Sequence, residues 1–234
     1  MTGLVGMVAG VLVGVFFLKR GFNLGRAVRM STIAGLVMPV MMTGLLLLAI
    51  FRPAVILISE KGPGAMFAPL GLSLAAGLVI GMIAQKTRLC SVGAWRDIFL
   101  ARDFYLFSGI AAFFVAALVT NYALGNFAAG GIYHWGFAGE PIAHTDHLWN
   151  FLSMSLVGLA ATLVGGCPLR NLILSGEGDT DASMMVLGLF AGAAFSHNFL
   201  LAASPSGIGA FSAIAVIIGL IFCVAIGFLM RQET

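Results

Sequence analysis

"LAATLVGGCPLRNLILSGEGD", residues 159–179, passes from hydrocarbon to charge within twenty-one positions. Gly165 and Gly166 each cost about 1 kcal/mol of helix propensity relative to alanine. Pro168 has no amide donor, so a helix entering from residue 158 ends near it. A proline also suits the first turn of a new helix. The stretch therefore predicts a helix end, an exposed Cys167 and a short second helix over "PLRNLIL". That second piece is too short to cross a bilayer and reads as a re-entrant or interfacial helix. Its positive end points back at the thiol, the setting that attracts anions.

The same grammar occurs once more upstream. "QKTRLC" is followed by "SVGAWRDIFL", again a thiol, Cys90, before a piece too short to span. Arg88 stands two residues before Cys90, and Arg170 three residues after Cys167. A guanidinium presents a planar fork of donors that matches oxyanions. Cys90, Cys167, Arg88, Gly165, Gly166, Pro168 and Arg170 are thus the candidate substrate-binding residues for a soft anion containing sulfur or selenium. The bland readings are a cysteine used as small packing and arginines used as interface anchors. Cys223, inside "AIAVIIGLIFCVAIGFLM", is read as such a small hydrophobe.

An internal repeat underlies the pair. "GVLVGVFFLKRGFN" (10–23) lies over "GLVIGMIAQKTRLC" (77–90), with Gly10, Gly14 and Lys19 matching Gly77, Gly81 and Lys86. Asn23 then falls at the cysteine position and is a candidate pathway residue. "GLAATLVGGC" (158–167) repeats the Gly-to-Cys spacing of Gly81 and Cys90. Repeats of this kind recur in transporters, whose sites lie where interrupted helices meet.

The whole chain agrees with a membrane setting. Of 234 residues, 60% are hydrophobic and 9% charged, against roughly 25% charged in a soluble domain; mean hydropathy is +1.06. The expected fold class is an all-α integral membrane protein, with no strand-like alternation to support a barrel. About seven transmembrane helices are expected, near 3–18, 31–51, 66–85, 104–124, 147–165, 182–203 and 208–230. They form one membrane domain, 1–234, with repeat units near 3–51, 66–124 and 147–203 and a final helix at 208–230. Ten lysines and arginines fall on one side of this arrangement, and only Arg52 and Lys61 on the other. By the positive-inside rule the N-terminus is outside, the C-terminus is cytoplasmic, and 125–146, with Tyr133 and Trp135, is an external loop. The first apolar run starts at once, with its positive charges behind it, so no removable signal peptide is read. The net charge of +3 is spread over loops and implies no nucleic-acid partner.

The remaining polar groups support rather than define a site. Glu177, Asp179 and Asp181 lack the calcium-loop pattern, and an Asp or Thr capping the helix near 182 explains them better. Glu177 is placed to pair with Arg170. His197 and Asn198, within an apolar span, are possible pathway residues or ordinary interhelical hydrogen-bonders. His134, His144 and His147 have no zinc spacing, and the helix start before Leu148 accounts for His144, Asp146 and His147. No nucleotide-binding loop is present, and no metal or cofactor is expected.

"QKTRLCSVGAWRDIFLARD" (85–103) and "VGGCPLRNLILSGEGDTDA" (164–182) resemble the signature stretches of the YeeE/YedE family of sulfur-compound transport membrane proteins. "LKRGFNLGR" (18–26), "ISEKGPGAM" (58–66), "GEPIAHTDHLWNFL" (139–152) and "AAFSHNF" (193–199) are similar to its YedE-related selenium metabolism branch. The resemblance implies uptake of a small selenium or sulfur oxyanion, such as selenite or thiosulfate, across the cell inner membrane. It also implies an hourglass-like helical fold in which cysteines hand the solute on, a role that falls here on Cys90 and Cys167. Members of that branch usually have a further N-terminal membrane region, which this chain is expected to lack. On that resemblance the chain is either shortened or expected to partner a separate N-terminal half or a second copy, beside a cytoplasmic sulfur-carrier protein. The rivals to transport are a membrane thiol or persulfide relay enzyme and a non-transporting subunit of a larger sulfur or selenium complex. Against the relay stands the lack of a C-x-x-C pair, so the chain is read as no enzyme.

Overall fold

Two long apolar stretches are each broken once, and the breaks set the architecture. The computed structural model describes residues 2–25, 31–51, 53, 68–127 and 144–231. Their helices are α1 (Thr2–Lys19), α2 (Thr32–Phe51), α3 (Leu70–Thr87), α4 (Ser91–Ala101), α5 (Tyr105–Ala123), α6 (His147–Val164), α7 (Pro168–Gly176), α8 (Thr180–Asn198) and α9 (Ser212–Leu229). The expected short helices are α4 and α7, which begin immediately after Cys90 and Cys167. Six apolar stretches among the described residues are long enough to cross a membrane, and α3–α4 and α6–α7 each count as one, of 32 and 30 residues. A straight helix of 30 residues is about 45 Å long, well beyond a hydrocarbon core of about 30 Å. Neither run continues as one straight helix: each is broken next to its cysteine. The expected external loop lies mostly outside the described residues, as do Arg52, Lys61 and "ISEKGPGAM".

The chain divides into two units. One comprises residues 1–26, 89–168 and 189–234; the other comprises 27–88 and 169–188. The first is built on α1, α6 and α9. A methyl group on Gly6 would overlap the Phe151 carbonyl, one on Gly10 the Ser155 carbonyl, and one on Gly158 the Met7 carbonyl. These glycines let two backbones touch, the mode by which membrane helices associate without a hydrophobic driving force between them. Ser155 Oγ donates to the Gly6 carbonyl at 3.0 Å, and Thr2 meets His147 where the two helices start.

The contacts also give the helix directions. Gly6, Gly10 and Gly14 meet Phe151, Ser155 and Thr162 in ascending order, so α1 and α6 are parallel. Gly219 of α9 lies under Leu156, and Gly227 under the ring of Phe17. Phe17 and Phe228 pack edge to face at 5.1 Å, and Phe22 bridges to Arg231. α9 therefore runs the same way as α1 and α6, and the ends of α1 and α9 lie side by side. Cys223 packs beside Phe17, Leu159 and Leu163 in this seam, the small-hydrophobe role its surroundings predict.

The outer faces are apolar. Phe113, Phe114 and Val119 of α5 and Ile218, Ile221 and Phe222 of α9 are exposed. A soluble domain rarely exposes so large a patch; in lipid these side chains meet their own kind. The chain is a multi-pass membrane protein.

In the second unit, Asp179 caps α8: its Oδ1 accepts from the Ala182 amide at 2.9 Å, as the cap reading of the acidic loop requires. Gly178, with φ +92°, sits against the backbone of Gly35 in α2. A cavity of about 590 Å³ adjoins this contact, lined in part by Ser31, Thr32, Glu177 and Asp181.

Candidate functional site

Each cysteine is placed by a helix start. Arg88 ends α3 in the left-handed region at φ 53°, with its amide donating to the carbonyls of Ala84 and Gln85. Cys90 is then the N-cap of α4, in extended backbone, with its sulfur accepting from the Gly93 amide at 3.2 Å. A thiol here does what a serine oxygen does at other helices. Gly165 ends α6 in the left-handed region at φ +95°, its amide donating to Ala161 and Thr162. Pro168 is the first residue of α7. The glycine, proline and helix-start readings of 164–168 thus stand, with one correction. Cys167, expected to be exposed, is buried at 3% relative exposure, because α1, α4 and α6 close over it.

The two breaks meet. The Cys167 amide donates to Cys90 Sγ at 3.3 Å across 77 residues of sequence. The two thiols are themselves hydrogen-bond neighbours. Cys90 Sγ therefore accepts from the start of its own helix and from the residue that opens the other. Val11 and Val15 of α1, Val92 of α4 and Ala161 of α6 are buried around the pair, with Trp95 and Phe99 packed against them. Trp95 stacks on Phe99 and meets Phe107 of α5 edge to face at 5.1 Å. The two sulfurs thus lie against apolar and aromatic side chains.

A residue not singled out as a site residue in the sequence holds this geometry. Arg96, on α4, donates from Nη1 to the Gly165 carbonyl at 3.1 Å and from Nε to Asp97 at 2.8 Å. The carbonyl at the end of α6 would otherwise lack a helical partner, and a cation there also meets the negative end of the helix dipole. Arg96 thus fastens the glycine break before Cys167 to the helix that Cys90 starts. In the sequence it counted only as one more positive-inside charge, since a backbone carbonyl partner leaves no motif.

The other candidates divide. Arg170 lies in the first turn of α7, and its Nη1 is buried without a hydrogen-bond partner among the described residues. It makes no ion pair with Glu177, which instead closes the turn after α7 with its amide on Ile173 and Leu174 and lines the second unit's cavity. Asn23, the repeat equivalent of Cys90, caps no described helix. Its amide donates to Met230 and its side chain accepts from Gly25. His197 and Asn198 form the last turn of α8, where Asn198 donates to Ala194 of its own helix. Among the described residues, Cys90 and Cys167 are brought together; His197, Asn198 and Asn23 are not brought to them.

A family model described as sulphur transport matches residues 86–230, more than half of the chain and both cysteine breaks. No curated protein and no solved structure is significantly similar to the chain.

Proposed function

The chain belongs to the sulphur transport family, and on that footing we propose that it takes up a small sulfur or selenium oxyanion through a path narrowed at Cys90 and Cys167. The observation that carries the reading is the meeting of the two thiols across 77 residues within apolar walls. Sulfur and selenium atoms are large and soft, and a pair of thiols offers them weak, reversible contacts. Weak contact is what a conduction path needs, since a solute must leave as readily as it enters. Anion attraction falls to Arg88 and Arg170, and the spare donor on Arg170 supports that role. Gly165, Gly166 and Pro168 serve by making the break.

The proposed setting is the cell inner membrane, with seven crossings. α6 and α9 run in the same direction, so the chain between them returns once, and α8 has the length to do it. The charges of Lys19, Arg20 and Arg231 then share the cytoplasmic side. There the solute passes to a cytoplasmic sulfur-carrier protein. A separate N-terminal half or a second copy is the proposed membrane partner.

The test is uptake of labelled selenite and labelled thiosulfate into cells that lack their own routes, at matched membrane levels of the chain. Wild type accumulates one label and Cys167→Ala does not; accumulation unaffected by Cys167→Ala would remove the thiol from the path. Replacing Arg170 by Gln raises the half-saturating anion concentration more than it lowers the maximal rate. The contact of the thiols also suits a relay enzyme passing a persulfide between them. That reading requires a sulfur-labelled Cys90 or Cys167 in the working protein, detectable by peptide mass.

A further inference from the structure

The enclosure around Cys90 and Cys167 has the ligand count of one narrow class of ion. The two cysteines are buried, at 6% and 3% exposure, and in direct contact, with the Cys167 amide on Cys90 Sγ at 3.3 Å. The apolar side chains packed around them are valine, alanine, tryptophan and phenylalanine, none of which is a metal ligand. Among the described residues, no three His, Cys, Asp or Glu side chains gather to hold a metal. Structural zinc takes about four ligands, and calcium about six to eight oxygens, so neither is satisfied here. Thiolates select soft ions such as copper(I), and a filled-shell monovalent ion is content with two sulfurs in line.

We infer that Cys90 and Cys167 form a two-coordinate site for a soft monovalent cation, copper(I) or its analogue silver(I). On binding, two S–H bonds break and two sulfur–metal bonds form. Both protons leave to solvent, and no atom changes oxidation state. The product bears one net negative charge spread over two sulfurs. The amides of Gly93 and Cys167, already on Cys90 Sγ at 3.2 and 3.3 Å, are in place to bond that charge. The start of α4 offers it the positive end of a helix. Outer partners of this kind orient metal ligands and tune their affinity. The site needs only the thiol pair, so it stands apart from the transport reading. Its consequence, block of any solute that must pass the thiols, rests on that reading.

The experiment is a silver(I) titration of the purified full chain in detergent and chloride-free buffer, read by alkylation of each cysteine with peptide mass. One silver ion per chain protects Cys90 and Cys167 together, and the Cys223→Ser protein behaves identically. Cys90→Ser and Cys167→Ser each weaken binding by more than the roughly 100-fold that loss of an outer-shell partner costs. Both variants must elute as wild type in size exclusion. Zinc(II) at equal concentration protects neither residue. Equal silver affinity in wild type and Cys90→Ser, independent protection of the two thiols, or displacement of silver by zinc overturns the site. Silver that binds as described but leaves measurable uptake unchanged keeps the site and sinks the narrowed path through the thiols.

Discussion

At the scale of single residues, two helix ends adopt the same left-handed conformation with different side chains. Gly165 takes it without a Cβ penalty, while Arg88 pays roughly 1–2 kcal/mol for it. Gly165→Ala therefore lowers unfolding free energy by about 1–2 kcal/mol. Arg88→Gly raises it by up to about 1 kcal/mol, since glycine's greater unfolded entropy offsets part of the gain. Melting in detergent measures both, at roughly 2–4 °C per kcal/mol for a chain of this size. That an arginine remains at 88 despite the cost favours a use for its charge, so Arg88→Gly should melt higher and take up less anion. Cys90 separates in the same way. Cys90→Ala removes the cap acceptor and costs about 1 kcal/mol. Cys90→Ser keeps an acceptor for the Gly93 amide and recovers the stability, yet uptake stays lost in both. The glycines and Pro168 were legible because they act on their own backbone. The Cys90–Cys167 contact was not, because nothing local links positions 77 residues apart, nor was the Arg96 bond to a bare carbonyl.

At the scale of elements, the breaks were readable and the packing was only half so. Both short helices begin where thiol and proline predict, and the long helices follow the apolar runs to within a few residues at most ends. α3 begins at Leu70 rather than near 66; α8 departs most, ending at Asn198 rather than near 203, and α9 begins at Ser212 rather than near 208. Gly207 at φ +143° and the hydroxyl of Ser212 bonded to the Leu201 carbonyl fold that apolar run into a turn. Hydropathy cannot see such a turn, because its residues are nearly as apolar as the helices beside it. The repeat was visible as glycine spacing, yet Gly10 and Gly14 serve the seam with α6 in a way spacing alone does not disclose. Gly10→Ala, whose methyl meets an immovable carbonyl, should destabilise by about 1–3 kcal/mol. Gly109→Ala on α5, where nothing described lies within 4 Å, should be neutral or gain up to about 1 kcal/mol in helix propensity. Thermal melts of the two variants side by side decide it; equal losses would mean that the α1–α6 seam is not the determinant.

At the scale of the whole molecule, the parallel course of α1, α6 and α9 fixes which loops share a side of the membrane. Single cysteines placed at Arg20 and Arg231 in a cysteine-free background should react with an impermeant maleimide from one side. Those placed at Thr2 and His144 should react from the other. Labelling of Arg20→Cys and Arg231→Cys from opposite faces would refute the parallel arrangement. The same arrangement has a consequence for biosynthesis. α1 is made before α6, the helix that covers its glycine face, whose first residue follows 128 residues after the end of α1. At a translation rate of about 5–20 residues per second, that face waits on the order of ten seconds in the bilayer without its mate. Small-residue faces are what membrane helices use to find one another, so a nascent α1 is adhesive throughout the wait. The α1–α6 seam cannot assemble in the order it is synthesised, and whatever shelters α1 at the insertion site determines how much of it reaches the finished bundle.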